Sequence, residues 1–296
     1  MRYRTLGSTG LKVSVIGLGT WQLGGEWGKT FTPAEVTRML NEAKTLGINF
    51  IDTAECYGDH VSETLLGQAV EASRDQWIIA TKFGHKFHSH MNRTEPRSAA
   101  DIGVQLEDSL RALKTDYIDL YQYHSWSDEQ FDDMEVLDYL KMEQQRGRIR
   151  FIGVSISKNT NIRQTERCSE RGVQVLQVVY NRLDRAPEAQ VLPSAQAQNL
   201  GVLARVPLAS GLLSGKYKPG VEFAPDDVRA GHDKALREAR LAEVEKIAQY
   251  EVPQGMEMSQ WALAWCLKQP IVSAVIPGCK SVEQVRANAR AGDIVL

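Results

Sequence analysis

Asp52 and Tyr57 stand five residues apart in FIDTAECYG, residues 50 to 58, just past an apolar run. A carboxylate and a phenol at the end of a buried strand suit proton transfer if something tunes the phenol. A free phenol has a pKa of about 10 and is a poor acid at neutral pH. A nearby ammonium favours the phenolate and lowers that value. A carboxylate can in turn hold the ammonium charged when it is buried. The chain supplies an ammonium at Lys82 and an imidazole at His124, each closing a further apolar run. Asp52, Tyr57, Lys82 and His124 are therefore expected to act as a proton donor to the oxygen of an aldehyde or ketone. His124 would donate to the carbonyl or share the proton with Tyr57. A hydride source must then lie at the same place. Ser155 ends another run, Gln177 lies within one and Arg205 closes one.

These residues need a frame that brings strand ends together. Eight apolar runs recur: VSVIGLGT, INFIDTA, WIIATKFG, YIDLYQYH, IRFIGVS, VQVLQVVYN, GVLARVPL and IVSAVIPG. Continuous apolar runs fit strands buried on both faces of a parallel sheet. Amphipathic stretches alternate with them. The first, TPAEVTRMLNEAKTLG, has Thr32 as cap, Pro33 at the first helical position and Gly47 at its end. Others are SETLLGQAVEA, SAADIGVQLEDSLRALK, DMEVLDYLKMEQQRG, TNIRQTERCSERG, PEAQVLPSAQAQNLG, LAEVEKIAQY and SVEQVRANARA. Eight such units predict a (β/α)8 TIM barrel, an α/β fold of about 250 residues whose catalytic groups gather at the C-terminal ends of the strands. The 296 residues are expected to form one domain, 1–296. Two surpluses remain. MRYRTLGSTGLKVS predicts an N-terminal β-hairpin plugging the barrel bottom. The seventh crossover, residues 214 to 258, is extended by a mobile loop, KPGVEFAPDDVRAGHD, and two helix candidates. An open doubly wound sheet is disfavoured. Its glycine-rich first turn should open a helix, whereas IGLGTWQLGG puts Thr20 and Trp21 there.

Bulk properties exclude other classes. Lys plus Arg total 35 against 37 Asp plus Glu, a balance that points to neither nucleic acid nor an acidic membrane surface as partner. The four cysteines are spaced too widely for a metal knuckle or a paired redox motif, so free thiols in a reducing compartment are expected. The N-terminus lacks the apolar core of a signal peptide, and no apolar run is long enough to span a bilayer. The reading is a soluble, cytoplasmic protein with no metal site and an open oligomeric state.

The motifs LGSTGLKVSVIGLGTW, FIDTAECYGDHVSETLLGQAV, ATKFG, DLYQYH, IGVS, QVVYNRLD, PLASGLLSGKY and VIPGCKSVEQVRANA run in order along nearly the whole chain. The set resembles the aldo-keto reductase superfamily. The resemblance implies a catalytic tetrad of Asp52, Tyr57, Lys82 and His124, with Tyr57 as general acid. It also implies NADPH bound in extended form across the barrel mouth, and reversible reduction of a small-molecule carbonyl to an alcohol. Gly19, Thr20 and Trp21 would line the cofactor site with Asp52. Ser155 and Gln177 would hold the carboxamide. Arg205 and Pro207 would lie beside the nicotinamide, and Leu208, Ser210, Gly211, Leu213 and Lys216 along the pyrophosphate. Pro277, Gly278, Lys280 and Ser281 would receive the ribose phosphate at a helix start, with Gln284 and Asn288 on the adenine. Some barrels of this family instead serve as cofactor-sensing subunits of ion channels, and a long basic N-terminal extension suited to docking is not seen here.

Three positions depart from the family pattern. Ile156 stands where an asparagine is usual in GVSN, so the carboxamide has one fewer partner. Arg205 replaces the tyrosine that often stacks on nicotinamide, and it can stack by its flat guanidinium or face a substrate anion. The tryptophan usually next to the catalytic histidine is displaced by one, in HSW. Trp21, Trp27, Phe83 and Trp126 are candidates for an apolar substrate wall. His85, His88 and His90 share a loop beside the mouth, read as a substrate-facing lid rather than a metal site. Cys56 is read as packing.

Overall fold

The computed structural model describes residues 1–89, 92–96 and 98–296. The strands are β1 (Tyr3–Thr5), β2 (Lys12–Ser14), β3 (Leu18–Gly19), β4 (Phe50–Asp52), β5 (Ile78–Phe83), β6 (Lys86–Ser89), β7 (Asn92–Thr94), β8 (Ile118–His124), β9 (Ile149–Ser155), β10 (Val173–Val179), β11 (Gly201–Arg205) and β12 (Val272–Val275). Eight of them form one parallel sheet in the order β12-β11-β10-β9-β8-β5-β4-β3. Parallel bridges from Ile16 to Val275 and from Gly19 to Gly278 close it on itself. The result is the expected (β/α)8 barrel, and all eight apolar runs supply its strands.

The helices are α1 (Pro33–Thr45), α2 (Val61–Val70), α3 (Ala99–Leu113), α4 (Asp128–Phe131), α5 (Met134–Gln145), α6 (Ile162–Glu166), α7 (Val191–Ala197), α8 (Lys234–Tyr250), α9 (Met258–Leu267) and α10 (Val282–Arg290). Local chemistry explains their limits. Thr32 and Glu35 form a reciprocal capping box at the start of α1, and Val36, Met39, Leu40 and Ala43 bury one stripe. In contrast, TNIRQTERCSERG and PEAQVLPSAQAQNLG give only the short α6 and α7, each next to a 3-10 turn. Gly172 ends the first of these stretches with a positive φ, and Pro187 opens the 3-10 turn of the second. No described helix is long and apolar enough to cross a membrane.

Strand periodicity sorts the barrel interior into layers. Phe50, Ala80, Leu120, Val175, Leu203 and Ala274 pack together inside. Two residues further along their strands stand Asp52, Lys82, Gln122, Gln177 and Arg205. An apolar layer is thus followed by a polar one at the C-terminal rim. Below, the antiparallel pair β1–β2 forms the expected hairpin. Its Leu6 and Val13, both 0% exposed, join the interior cluster and close the barrel floor.

Two further connections differ from the sequence reading. The histidine loop is a second hairpin, β6–β7. The seventh crossover does carry two helices, but α9 begins only at Met258, so the connection continues to β12. Its loop meets the first turn of the barrel mouth at two points. Val228 N–H donates to Glu26 O at 3.0 Å, and Trp27 forms an antiparallel bridge with Asp227.

Candidate active site

The polar rim layer is one hydrogen-bonded cluster. Lys82 Nζ donates to Asp52 Oδ1 at 2.6 Å, to the carbonyl of Thr53 at 2.6 Å and to the Tyr57 hydroxyl at 3.4 Å. The Lys82 and Asp52 side chains are 1% and 4% exposed. The second oxygen of Asp52 accepts from Gln177 Nε2 at 2.7 Å and Gln122 Nε2 at 3.2 Å. A buried carboxylate with three such donors is fixed in place and in turn holds the ammonium. The ammonium is correspondingly held above its ordinary range: burial opposes the charge, but Asp52 outweighs it.

Tyr57 lies in the turn between β4 and α2. Two glycines bring this turn against the 3-10 turn Trp21–Gly24. A Cβ on Gly58 (φ +67°) would meet Gly24 O at 2.4 Å, and one on Gly24 would meet Tyr57 C at 2.6 Å. That approach stacks Trp21 on Tyr57, with ring centroids 6.0 Å apart. The phenol differs from the sequence expectation in one respect. Burial pushes its pKa up to about 12, although Lys82 pulls it down. Desolvation of the phenolate outweighs the nearby ammonium.

His124 stands at the end of β8 with its ring 15% exposed. The His85 ring meets it edge-on at 4.6 Å between centroids. Burial first, then the neighbouring positive groups, holds the imidazole well below its ordinary pKa and therefore neutral.

Above this cluster opens a cavity of about 1040 Å3. It is lined by Asp52, Tyr57 and His124 of the tetrad, while Lys82 lies beneath them. Gly19, Thr20, Trp21, Ser155, Gln177, Arg205, Pro207, Leu208, Ser210, Gly211, Lys216, Pro277, Gly278, Lys280, Gln284 and Asn288 line it too, and Trp27 adds a wall. Val206, Ala209, Ser210 and Gly211 all have positive φ. Left-handed backbone at a β-branched residue such as Val206 is strained. Several lining atoms are buried and lack partners: Gln22 Oε1, Arg205 Nε and Asn288 Nδ2. Such atoms are expected where a polar ligand completes the site.

Four expected contacts are corrected. Phe83 is 0% exposed and packs on Tyr121, Tyr123 and Trp126 instead of lining the cavity. Strand alternation is the reason: Lys82 points into the barrel, so its neighbour points outward. Trp126 is 1% exposed and folds over Gly84, whose added Cβ would meet the indole nitrogen at 1.9 Å. Leu213 is buried with Leu241, Val244, Ile247 and Trp261 beneath the loop. Ser281 caps α10 by accepting from Gln284 N. Arg286, on the same helix, is paired with Glu42 of α1.

Other residues were missed. Gln122 was detectable, since it shares a strand face with Leu120 and His124. Arg229 and Arg93 were not, because a 3-10 turn of the seventh crossover and the second hairpin carry them in from elsewhere. Arg229 pairs with Asp227 at 2.6 Å and lies over the Trp27 ring. Arg93 of β7 pairs with Glu26 at 2.7 Å, and Glu26 also accepts from Trp21 Nε1 at 2.6 Å. Ile156 is buried, and its carbonyl accepts from Arg205 Nη2 at 3.4 Å. Among the described residues, no carboxylate forms an ion pair with Arg205. His88 bonds Thr94 within the second hairpin, and His90 lies outside the described residues. All four cysteines are free and buried.

Comparison with known proteins gives a consistent result. The family model described as Aldo/keto reductase family matches residues 15–296. Aldo-keto reductase YhdN of Bacillus subtilis (strain 168) is 34% identical over 305 residues, covering 97% of this chain and 87% of that protein. The NADH-specific methylglyoxal reductase of Escherichia coli (strain K12) is 32% identical over 316 residues, covering 100% and 92%. Among solved structures, the holo form of aldo-keto reductase AKR11C1 from Bacillus halodurans is similar with a TM-score of 0.83 at 30% identity, covering 100% of this chain and 92% of that one. The glycerol dehydrogenase AKR11B4 from Gluconobacter oxydans gives 0.82 at 29% identity, covering 100% and 90%.

Proposed function

The chain belongs to the aldo/keto reductase family, and from that premise we propose that it reduces small aldehydes or ketones to alcohols with NADPH, Tyr57 being the proton donor. The observation that carries this reading is the buried Lys82–Asp52 pair beneath the Tyr57 hydroxyl on the floor of a large cavity. Bound NADPH would supply hydride to the carbonyl carbon. Tyr57 holds the proton for the carbonyl oxygen, and Lys82 stabilises the phenolate left behind. Asp52 keeps Lys82 charged and aimed. His124, neutral, offers a hydrogen bond to the same oxygen.

The lining residues suit a dinucleotide. Ser155 faces the cavity from the end of β9. Gln177 has its amide nitrogen committed to Asp52 and Gln122, so its oxygen remains for a carboxamide N–H. Arg205 lines the cavity with its buried Nε–H unpartnered, free for the nicotinamide end of the cofactor. The left-handed turn Ala209–Gly211 suits a pyrophosphate. Lys280, Lys29 and Arg229 gather near the start of α10. Lys280 Nζ donates to Trp27 O, and Lys29 Nζ donates to Lys280 O at 3.0 Å. Burial, Arg229 and Lys29 lower the Lys280 pKa, while Asp227 and Asp226 oppose them. Glu283 is absent from the lining, and the carboxylates that are present besides Asp52, namely Glu245 and Glu257, come from α8 and the residue before α9. The cation cluster favours NADPH over NADH. The four buried thiols suit a cytoplasmic setting.

The test combines turnover and binding. The purified protein should oxidise NADPH repeatedly when given simple aldehydes. Lys280→Met should weaken NADPH by ~1.5–3 kcal/mol, the scale of a hydrogen bond to a charged group, and leave NADH nearly unchanged. Equal losses for both cofactors, or a native preference for NADH, would sink the NADPH assignment.

A further inference from the structure

The inference concerns the ring nitrogen of His124 that faces away from the cavity, and it rests on the carbonyl-reductase reading. Nδ1 of His124 lies 3.7 Å from Cys56 Sγ and 3.8 Å from Glu55 Oε2. Glu55 is 2% exposed. Its Oε1 accepts from the His85 N–H at 2.8 Å, while its Oε2 is buried without a hydrogen-bond partner. An ionised carboxylate oxygen left so would be costly. A protonated one has an O–H to give, and His124 Nδ1 is the acceptor within reach of a side-chain rotation. We propose that Glu55 is a positioning residue whose carboxyl proton is donated to His124 Nδ1, so that the imidazole carries its own proton on Nε2 and presents it to the carbonyl oxygen.

The reasoning turns on where a single proton sits. His124 is neutral, so it has one N–H to place on either nitrogen. An ionised Glu55 would draw that proton to Nδ1 and leave a lone pair facing the substrate oxygen. A neutral Glu55 fills Nδ1 and puts the N–H where it helps. Cys56 presents a second proton-bearing donor to Nδ1, because burial holds its thiol well above its ordinary pKa. The gap of 3.8 Å exceeds hydrogen-bond length by about 1 Å, and catalytic bonds of this kind tighten when ligands bind.

The surroundings settle the sign of the pH dependence. Lys82 from β5, His85 just after it, Arg93 from β7 and Arg205 from β11 face this pair, together with Cys56. The positive groups favour an ionised Glu55, but burial is larger and raises its pKa. Reduction should therefore fall as pH rises through the Glu55 titration, well below any loss of the Tyr57 proton.

Histidine 15N resonances and pH–rate profiles test the assignment. Comparison with His124→Gln identifies the His124 signals. The native protein should show Nε2–H at neutral pH and shift to Nδ1–H as Glu55 ionises. Glu55→Gln keeps an N–H donor toward Nδ1 at every pH, so it should hold the Nε2–H tautomer and lose the alkaline limb of kcat. Glu55→Leu should lower kcat at least ~10-fold without changing the KM for NADPH, and Glu55→Gln should restore it. An Nδ1–H tautomer at neutral pH, or the same alkaline limb in the native and Glu55→Gln proteins, would overturn the proposal. Should no carbonyl be reduced, the functional reading fails, while the tautomer measurement still decides the role of Glu55.

Discussion

Removing the Tyr57 hydroxyl while keeping its ring isolates the acid. Tyr57→Phe should reduce aldehyde turnover by at least ~10²-fold, the scale of general acid catalysis, with NADPH affinity nearly unchanged by fluorescence titration. Near-native turnover would remove Tyr57 from the mechanism. Lys82→Met acts differently. It takes away the group that holds the phenol pKa down to about 12 against the larger push of burial, so the phenol becomes a weaker acid at every pH. It also leaves Asp52 buried with only Gln122 and Gln177. Breaking one half of a buried pair costs about 3–5 kcal/mol. Turnover should almost vanish, and chemical denaturation should show the loss of stability. The remaining rate should show the phenol limb moved to higher pH. An unchanged rate and profile would mean that the two groups are not coupled.

At the scale of elements, the site depends on turns being pressed together. The Tyr57 turn and the Trp21–Gly24 turn touch through Gly58 and Gly24, with no room for a side chain. Gly58→Ala introduces a residue at φ +67° and a contact of 2.4 Å with Gly24 O. A non-glycine left-handed residue costs about 1–3 kcal/mol, and the clash adds to it. The turns should part, so kcat should fall together with melting temperature. A variant with native kcat would show that the Trp21 stack on Tyr57 does not matter for the proton.

At the scale of the whole molecule, the barrel is a layered plug: hairpin below, apolar layer in the middle, reacting groups above. Leu6 lies 0% exposed at the floor, far along the interior from the polar rim. Leu6→Ala should destabilise the fold by about 2–5 kcal/mol, as large-to-small core changes do. The folded fraction should keep its kcat/KM. A loss of kcat/KM without a loss of stability would show that the floor and the mouth are coupled.

The sequence alone determined the strands, the barrel and the rim residues Asp52, Lys82, His124, Ser155, Gln177 and Arg205. Each is a local fact, an apolar run ending in a polar side chain, and strand alternation then sends such residues inward together. Alternation also held the answer for Phe83, since a neighbour of an inward lysine must face out. Tertiary structure alone decided the rest. Trp126 turned inward because Gly84, forty-two positions earlier, leaves room for its indole. Arg93 and Arg229 reached the cavity because the second hairpin and the seventh crossover bring them to Glu26 and Trp27 from distant parts of the chain. Glu55 looked like one more polar residue in a turn. Only the packing of His85 and His124 around it made it a buried carboxyl with one oxygen unpaired, because burial and unmet hydrogen bonds belong to the assembled structure and to no single segment.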